Sequence, residues 1–101
     1  MTATPDDSGL LEREMGLAHA DFWRLLPQAV GELAWHAEGD RVRIEHGTGW
    51  IEIALGVERE RRIALMTIPV TEVTMRWEGV SRERFDAFLA RFDSYYRRGG
   101  G

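Results

Sequence analysis

The chain reads as one α+β domain, a five-stranded antiparallel meander with a helix at each end, both helices packed on the same face of the sheet. Three observations predict it. Apolar residues fall at helical spacing near both ends of the chain, and they alternate with period two through its middle. The links between the alternating runs are too short for the crossovers that parallel strands require. A length of 101 residues with 44% apolar content suits one hydrophobic core and therefore one domain.

Residues 1–16 mix Pro5, Asp6, Asp7, Ser8 and Gly9 with one apolar patch at Leu10 and Leu11, and are expected to form a mobile arm ahead of a domain at 17–98. From about Ala18, the residues Phe22, Leu25, Leu26, Ala29, Val30 and Leu33 follow the spacing of a buried helical stripe. Pro27 should kink that helix or restart a turn, because it lacks an N–H and collides with the preceding turn. Gly31 should end it.

Alternation then begins with Leu33, Trp35 and Ala37, reverses at Gly39-Asp40, and continues through Val42 and Ile44. His46-Gly47-Thr48-Gly49 supplies the next reversal, Ile51, Ile53 and Leu55 the third strand, and Gly56 to Glu60 a charged turn. A fourth strand is expected at 62–68, a turn at Pro69, and a fifth strand through Val73, Met75 and Trp77. Ser81 is placed to cap the last helix, whose stripe is Phe85, Phe88, Leu89, Phe92 and Tyr96. Arg97 and Arg98 complement the dipole at its end, and 99–101 form a glycine tail.

This strand assignment sorts side chains onto two faces. Leu33, Trp35, Val42, Ile44, Ile51, Ile53, Ile63, Leu65, Val73, Met75 and Trp77 make the core face. His36, Arg41, Arg43, Glu45, Glu52, Ala54, Ala64, Met66, Glu72, Thr74 and Arg76 make an outer face of mixed charge. An outer face of this kind is solvated, covered by a second copy of the chain, or used to hold a ligand.

Composition removes whole classes of function. There is no cysteine, hence no disulfide, no thiol nucleophile and no cysteine-based metal site. All 13 basic residues are arginine, so Schiff-base chemistry and the phosphate-loop lysine are both absent. A formal net charge of −4 argues against nonspecific nucleic-acid binding, which draws its affinity from neutralising phosphates. The acidic start of the chain lacks the pattern of a secretion signal and no stretch reaches membrane-spanning length, so a cytoplasmic location without membrane contact is expected.

Few residues invite chemistry. His19, His36 and His46 have no partners at metal-site spacing, and neither a metal nor another cofactor is expected. His36 and Glu45 are close across the first hairpin and form the one acid–base pair the pattern offers. The glycines after His46 lead into a strand rather than a helix, which favours a hairpin turn over a phosphate cradle. Ser8, Ser81 and Ser94 do not sit on a strand–turn–helix elbow. Of the four tryptophans, Trp50 has the parity of the polar face, where it would either anchor a partner or pack at a strand end under the N-terminal arm.

The ending Arg97-Arg98-Gly99-Gly100-Gly101 resembles the tails of ubiquitin-like modifiers and sulfur carriers. That resemblance covers only the last residues and implies activation of the terminal carboxylate, with Gly100 and Gly101 as the slim tail an activating enzyme needs. The order of the remaining elements departs from that family. The residues therefore point to a noncatalytic binding or accessory protein, which holds a protein or small ligand on its outer sheet face or in a groove beside the first helix. His36, Arg43, Trp50 and Arg76 are its candidate contact residues. A carrier acting through Gly100 and Gly101 and a small acid–base enzyme using His36 and Glu45 are the alternatives.

Overall fold

In the computed structural model, residues 7–100 are described, with side chains as far as residue 97. The elements are β1 (Ser8–Met15), α1 (His19–Val30), β2 (Trp35–Glu38), β3 (Arg41–His46), β4 (Gly49–Ile63), β5 (Met66–Glu78) and α2 (Arg82–Gly100). The class is α+β with one five-stranded antiparallel sheet, but the sheet order is β1-β5-β4-β3-β2. Strands β2 to β5 form a meander, and β1 closes the far side against β5.

The segment expected to be a mobile arm is thus the first strand. Its register pairs Gly9 with Trp77, Leu11 with Met75 and Met15 with Thr71. Alternation is present in β1, since Leu11, Arg13 and Met15 are partly covered while Leu10, Glu12 and Glu14 are exposed. An arginine on the inward side disguises it. Arg13 is satisfied there by a two-pronged pair with Asp93 of α2, at 2.6 and 3.3 Å.

The expected strand count of five is met for a different reason. No turn lies at 56–60: β4 passes through a bulge between Leu55 and Glu58 and runs on to Ile63. The reversal comes at Ala64 and Leu65, inside the segment expected to be a strand, and Pro69 lies within β5 opposite Glu60. Beyond the pairing of Met15 with Thr71, the last five residue pairs of β4 and β5 form a two-stranded arm with no further strand beside it. Past its base, where Val70 is buried and Ile68 and Pro69 are half-buried, both sides of the arm meet water, so burial imposes little alternating pattern on its sequence.

The core lies between the sheet and the two helices, which contact each other. Val42, Ile44, Ile51, Ile53, Val73, Met75 and Trp77 are buried as their parity predicts. Trp35 on the edge strand and Ile63 and Leu65 on the arm, all expected in the core, are exposed instead. From α1 come Phe22, Leu25, Leu26, Ala29 and Val30, and from α2 Phe85, Phe88, Phe92 and Tyr96. The Tyr96 hydroxyl donates to Phe22 O at 2.7 Å, which joins the helices by a buried hydrogen bond, and burial holds its phenol far above the usual range.

Helix α1 continues through Pro27 to Val30 and Gly31 follows it with its N–H on Pro27 O. Ala18 offers no side-chain cap, and the Glu58 carboxylate accepts the His19 N–H at 2.8 Å in its place. Ser81 caps α2 as its position predicts, its Oγ accepting the Arg84 N–H at 3.2 Å. Helix α2 takes in Gly99 and Gly100, where a tail was expected; Gly101 lies outside the described residues.

Three hairpins of the meander share one geometry, a two-residue loop whose first residue alone has positive φ: Gly39 at 60°, Gly47 at 63° and Ala64 at 54°. Alanine is strained in that region and glycine is not. The Ala64→Gly variant should therefore be more stable by about 0.5–1 kcal/mol in urea unfolding, after the added flexibility of its unfolded chain is subtracted. At Gly49 the opposite holds, because a Cβ there would lie 2.4 Å from the carbonyl oxygens of Glu78 and Gly79. Gly49→Ala should destabilise by about 1–3 kcal/mol in the same measurement.

Candidate functional site

The outer sheet face gathers the four candidate contact residues. Register places Leu10, Arg76, Glu52, Arg43 and His36 in one row across β1, β5, β4, β3 and β2. Within this row Glu52 lies 3.8 Å from Arg43, and it lies 4.0 Å from Arg41 of the row beside it, while Arg76 has no carboxylate partner among the described residues. Trp50 occupies the next row, and the Arg43 guanidinium covers its ring at 4.2 Å from the centroid. His36 faces Arg43 across the hairpin, while Glu45 faces Trp50, and no hydrogen bond or ion pair joins His36 to Glu45. The tryptophan of this face thus already has a cation on it.

A cleft of about 260 Å³ lies on the outer face between β1 and β5, lined by Glu12, Glu14, Glu72 and Thr74 among others and by none of the four candidate residues, and two larger openings lie off that face. One cleft of about 320 Å³ lies between β1 and α2, lined by Arg13, Met15, Leu17, Asp93 and Tyr96 among others. Its charges satisfy each other through the Arg13–Asp93 pair. A larger groove of about 650 Å³ opens where α1 ends, between the α1–β2 link, the end of β3 and the first half of α2. Val30, Leu33, Ala87 and Phe88 give it an apolar lining, with Glu32, His46, Arg84 and Arg91 as its polar groups.

Each wall follows from local structure. Arg84, Ala87, Phe88 and Arg91 stand at positions i, i+3, i+4 and i+7 of α2 and so share one face of the helix. Phe88 is buried and fixes that face against the core, and the small side chain of Ala87 leaves room above it. Gly31 and Gly47 turn the chain with positive φ on either side, and both lie under guanidiniums: a Cβ would meet Arg91 Nη2 at 3.0 Å on Gly31 and Arg84 Nη2 at 3.0 Å on Gly47. The glycines expected to serve a turn thus also seat the two cations.

The polar groups are incompletely satisfied. Arg91 donates one hydrogen bond to Gln28 O at 3.0 Å, and Arg84 donates none from its guanidinium. Neither has a carboxylate partner among the described residues. His46 Nδ1 is buried and without a hydrogen-bond partner. Burial, with the Arg84 charge beside it, lowers the His46 pKa below the usual imidazole value.

The remaining polar clusters are structural. His19 Nε2 meets Gly56 O at 2.7 Å and ties the start of α1 to the bulge of β4. Glu14 accepts from Arg61 and Arg59, each at 2.6 Å, and these pairs hold its carboxyl below the usual range while bracing the arm. Among the described residues, no group of three or more histidine or acidic side chains is placed to hold a metal ion. None of their helices is long and apolar enough to cross a membrane.

Of the polar groove residues, the sequence pattern singled out only His46, in a turn and as one of three histidines without partners at metal-site spacing, while Val30, Leu33 and Phe88 were expected as core. The arginines carried a readable signal, since a spacing of seven on a helix puts Arg84 and Arg91 on one side. What the pattern lacked was the neighbour that side would face.

A depressed imidazole has a definite consequence for stability. As pH falls through about 6.5, the unfolded chain takes up a proton at residue 46 before the folded one does, so this residue removes stability on acidification. An NMR titration should give His46 a midpoint below the usual imidazole value, as burial demands, and His46→Phe should unfold with a smaller loss of stability between neutral and mildly acid pH than the parent. The chain matches no protein-family model, no curated protein and no solved structure.

Proposed function

We propose that this is a small noncatalytic binding protein whose ligand sits in the groove beside the end of α1. One observation carries the proposal: an open space of about 650 Å³ combines an apolar lining with the Arg84 guanidinium, which has no hydrogen-bond or carboxylate partner among the described residues. Ligand sites have this composition, a largely apolar wall with a few polar groups that fix orientation. The outer sheet face is the weaker choice, because Arg43 already lies against both Glu52 and the Trp50 ring, which leaves Arg76 as the one candidate arginine there without a partner among the described residues. Groups that titrate or attack are few in the groove, and none is paired as nucleophile and base, so binding rather than turnover is the activity it supports.

The test is a titration of isotope-labelled protein with small aromatic fragments of neutral, anionic and cationic type, followed by amide shifts. The proposal requires that fragments which bind move the amides of 30–33, His46 and 84–91. Shifts confined to the row of His36, Arg43 and Arg76 would transfer the site to the sheet face, and no specific shifts at all would remove it. Ala87→Trp, which fills the groove from an exposed helix position, should cost more than tenfold in fragment affinity while changing stability by about 0.5 kcal/mol or less.

A further inference from the structure

We infer that the ligand of this groove is a small organic anion, a carboxylate or phosphate ester on an apolar body, with its charged group at the Arg84–His46 end; this rests on the groove being the binding site. The charges in the groove are unequal. Two guanidiniums face one carboxylate, that of Glu32, so an anion finds a net positive surface and a cation does not. The negative end of α1 adds little against this, because Gly31 N–H, the Arg91 guanidinium and Leu33 N–H satisfy the carbonyls of Pro27, Gln28 and Val30.

The two ends of the groove differ. Arg91 lies over Gly31, already donates to Gln28 O, and sits beside the chain position of Glu32. Arg84 lies over Gly47 next to His46, and among the described residues its guanidinium has no hydrogen-bond acceptor and no carboxylate within pairing distance. A guanidinium presents a fork of donors that matches the oxygens of a carboxylate or phosphate. His46 lines the same end of the groove. At about 1.5 Å of rise per residue, Arg84 and Arg91 are roughly 10 Å apart along α2, and Phe88, Leu33 and Val30 line the space between them. An apolar body extending from the charged group would cover that floor.

Four probes of similar size separate the outcomes: phenyl phosphate, phenylacetate, phenethyl alcohol and phenethylamine, titrated into the full chain with amide shifts as readout. At least one anion should bind in the groove at least tenfold more tightly than the alcohol and the amine, and the ratio between the two anions tells phosphate from carboxylate recognition. Arg84→Gln should weaken that anion about tenfold or more, Arg91→Gln by no more than two- to threefold, with dispersed spectra reporting that both variants stay folded. If the alcohol or amine binds as well as the anions, or Arg84→Gln leaves affinity unchanged, the anion assignment falls while the groove remains a site. An equal or larger loss with Arg91→Gln overturns the placement of the charged group. If no probe of any charge moves a groove amide, the anion assignment and the binding site fall together.

Discussion

A continuous run of aromatic contacts sets the arrangement of everything else. Trp77 of β5 stacks on Phe85 of α2 at 3.6 Å, and the contacts pass along α2 through Phe88 and Phe92 to Tyr96. From Tyr96 they cross to Phe22 of α1 at 5.3 Å and end on Trp23 at 5.1 Å. Each such pair adds about 0.5–1.5 kcal/mol beyond the area it buries, and the ring shapes fix the rotation of the helix that carries them. With Phe85, Phe88 and Phe92 turned to the core, Arg84, Ala87 and Arg91 have only one direction left. Phe88 belongs to both systems, as a member of the aromatic run and as floor of the groove.

Close backbone approach makes that packing fit. Gly9 lies opposite Trp77 in the β1–β5 ladder, and a Cβ on it would fall 2.2 Å from the indole ring. The first strand is therefore committed to glycine where it covers the widest side chain of the sheet. Strand β1 also carries Arg13 to Asp93, so the edge is fastened to α2 by charge as well as by the ladder.

The molecule has a second, contrasting region in the arm of β4 and β5, which makes it 53 Å long against 25 and 24 Å in the other directions. A two-stranded ribbon alone is marginally stable in water, and here its base is held by Glu14, which binds Arg59 and Arg61 from the neighbouring strand. Its open edges carry features that discourage further pairing: Pro69, which has no N–H, on β5, and the charged run from Glu58 to Arg62 on β4. Ile63, Leu65 and Met66 are exposed at its end. The arm and the groove are thus built on different rules, one by exposed charge and a tight turn, the other by packing.

The sequence by itself determined the class, the paired helices, the central hairpins at Gly39 and Gly47, the capped start of α2 and the parity of the buried strand residues. These follow from local periodicity and turn chemistry, which act over a few residues and need no knowledge of distant neighbours. Tertiary structure alone decided the rest. Whether 8–15 is an arm or a strand depends on β5 offering a free edge and Asp93 a partner for Arg13; whether 56–60 turns or continues depends on a bulge and on the absence of any covering layer. The groove is decided in the same way, because its walls come from residues 30–33, 46 and 84–91, and a cavity is a property of surfaces that meet across the chain.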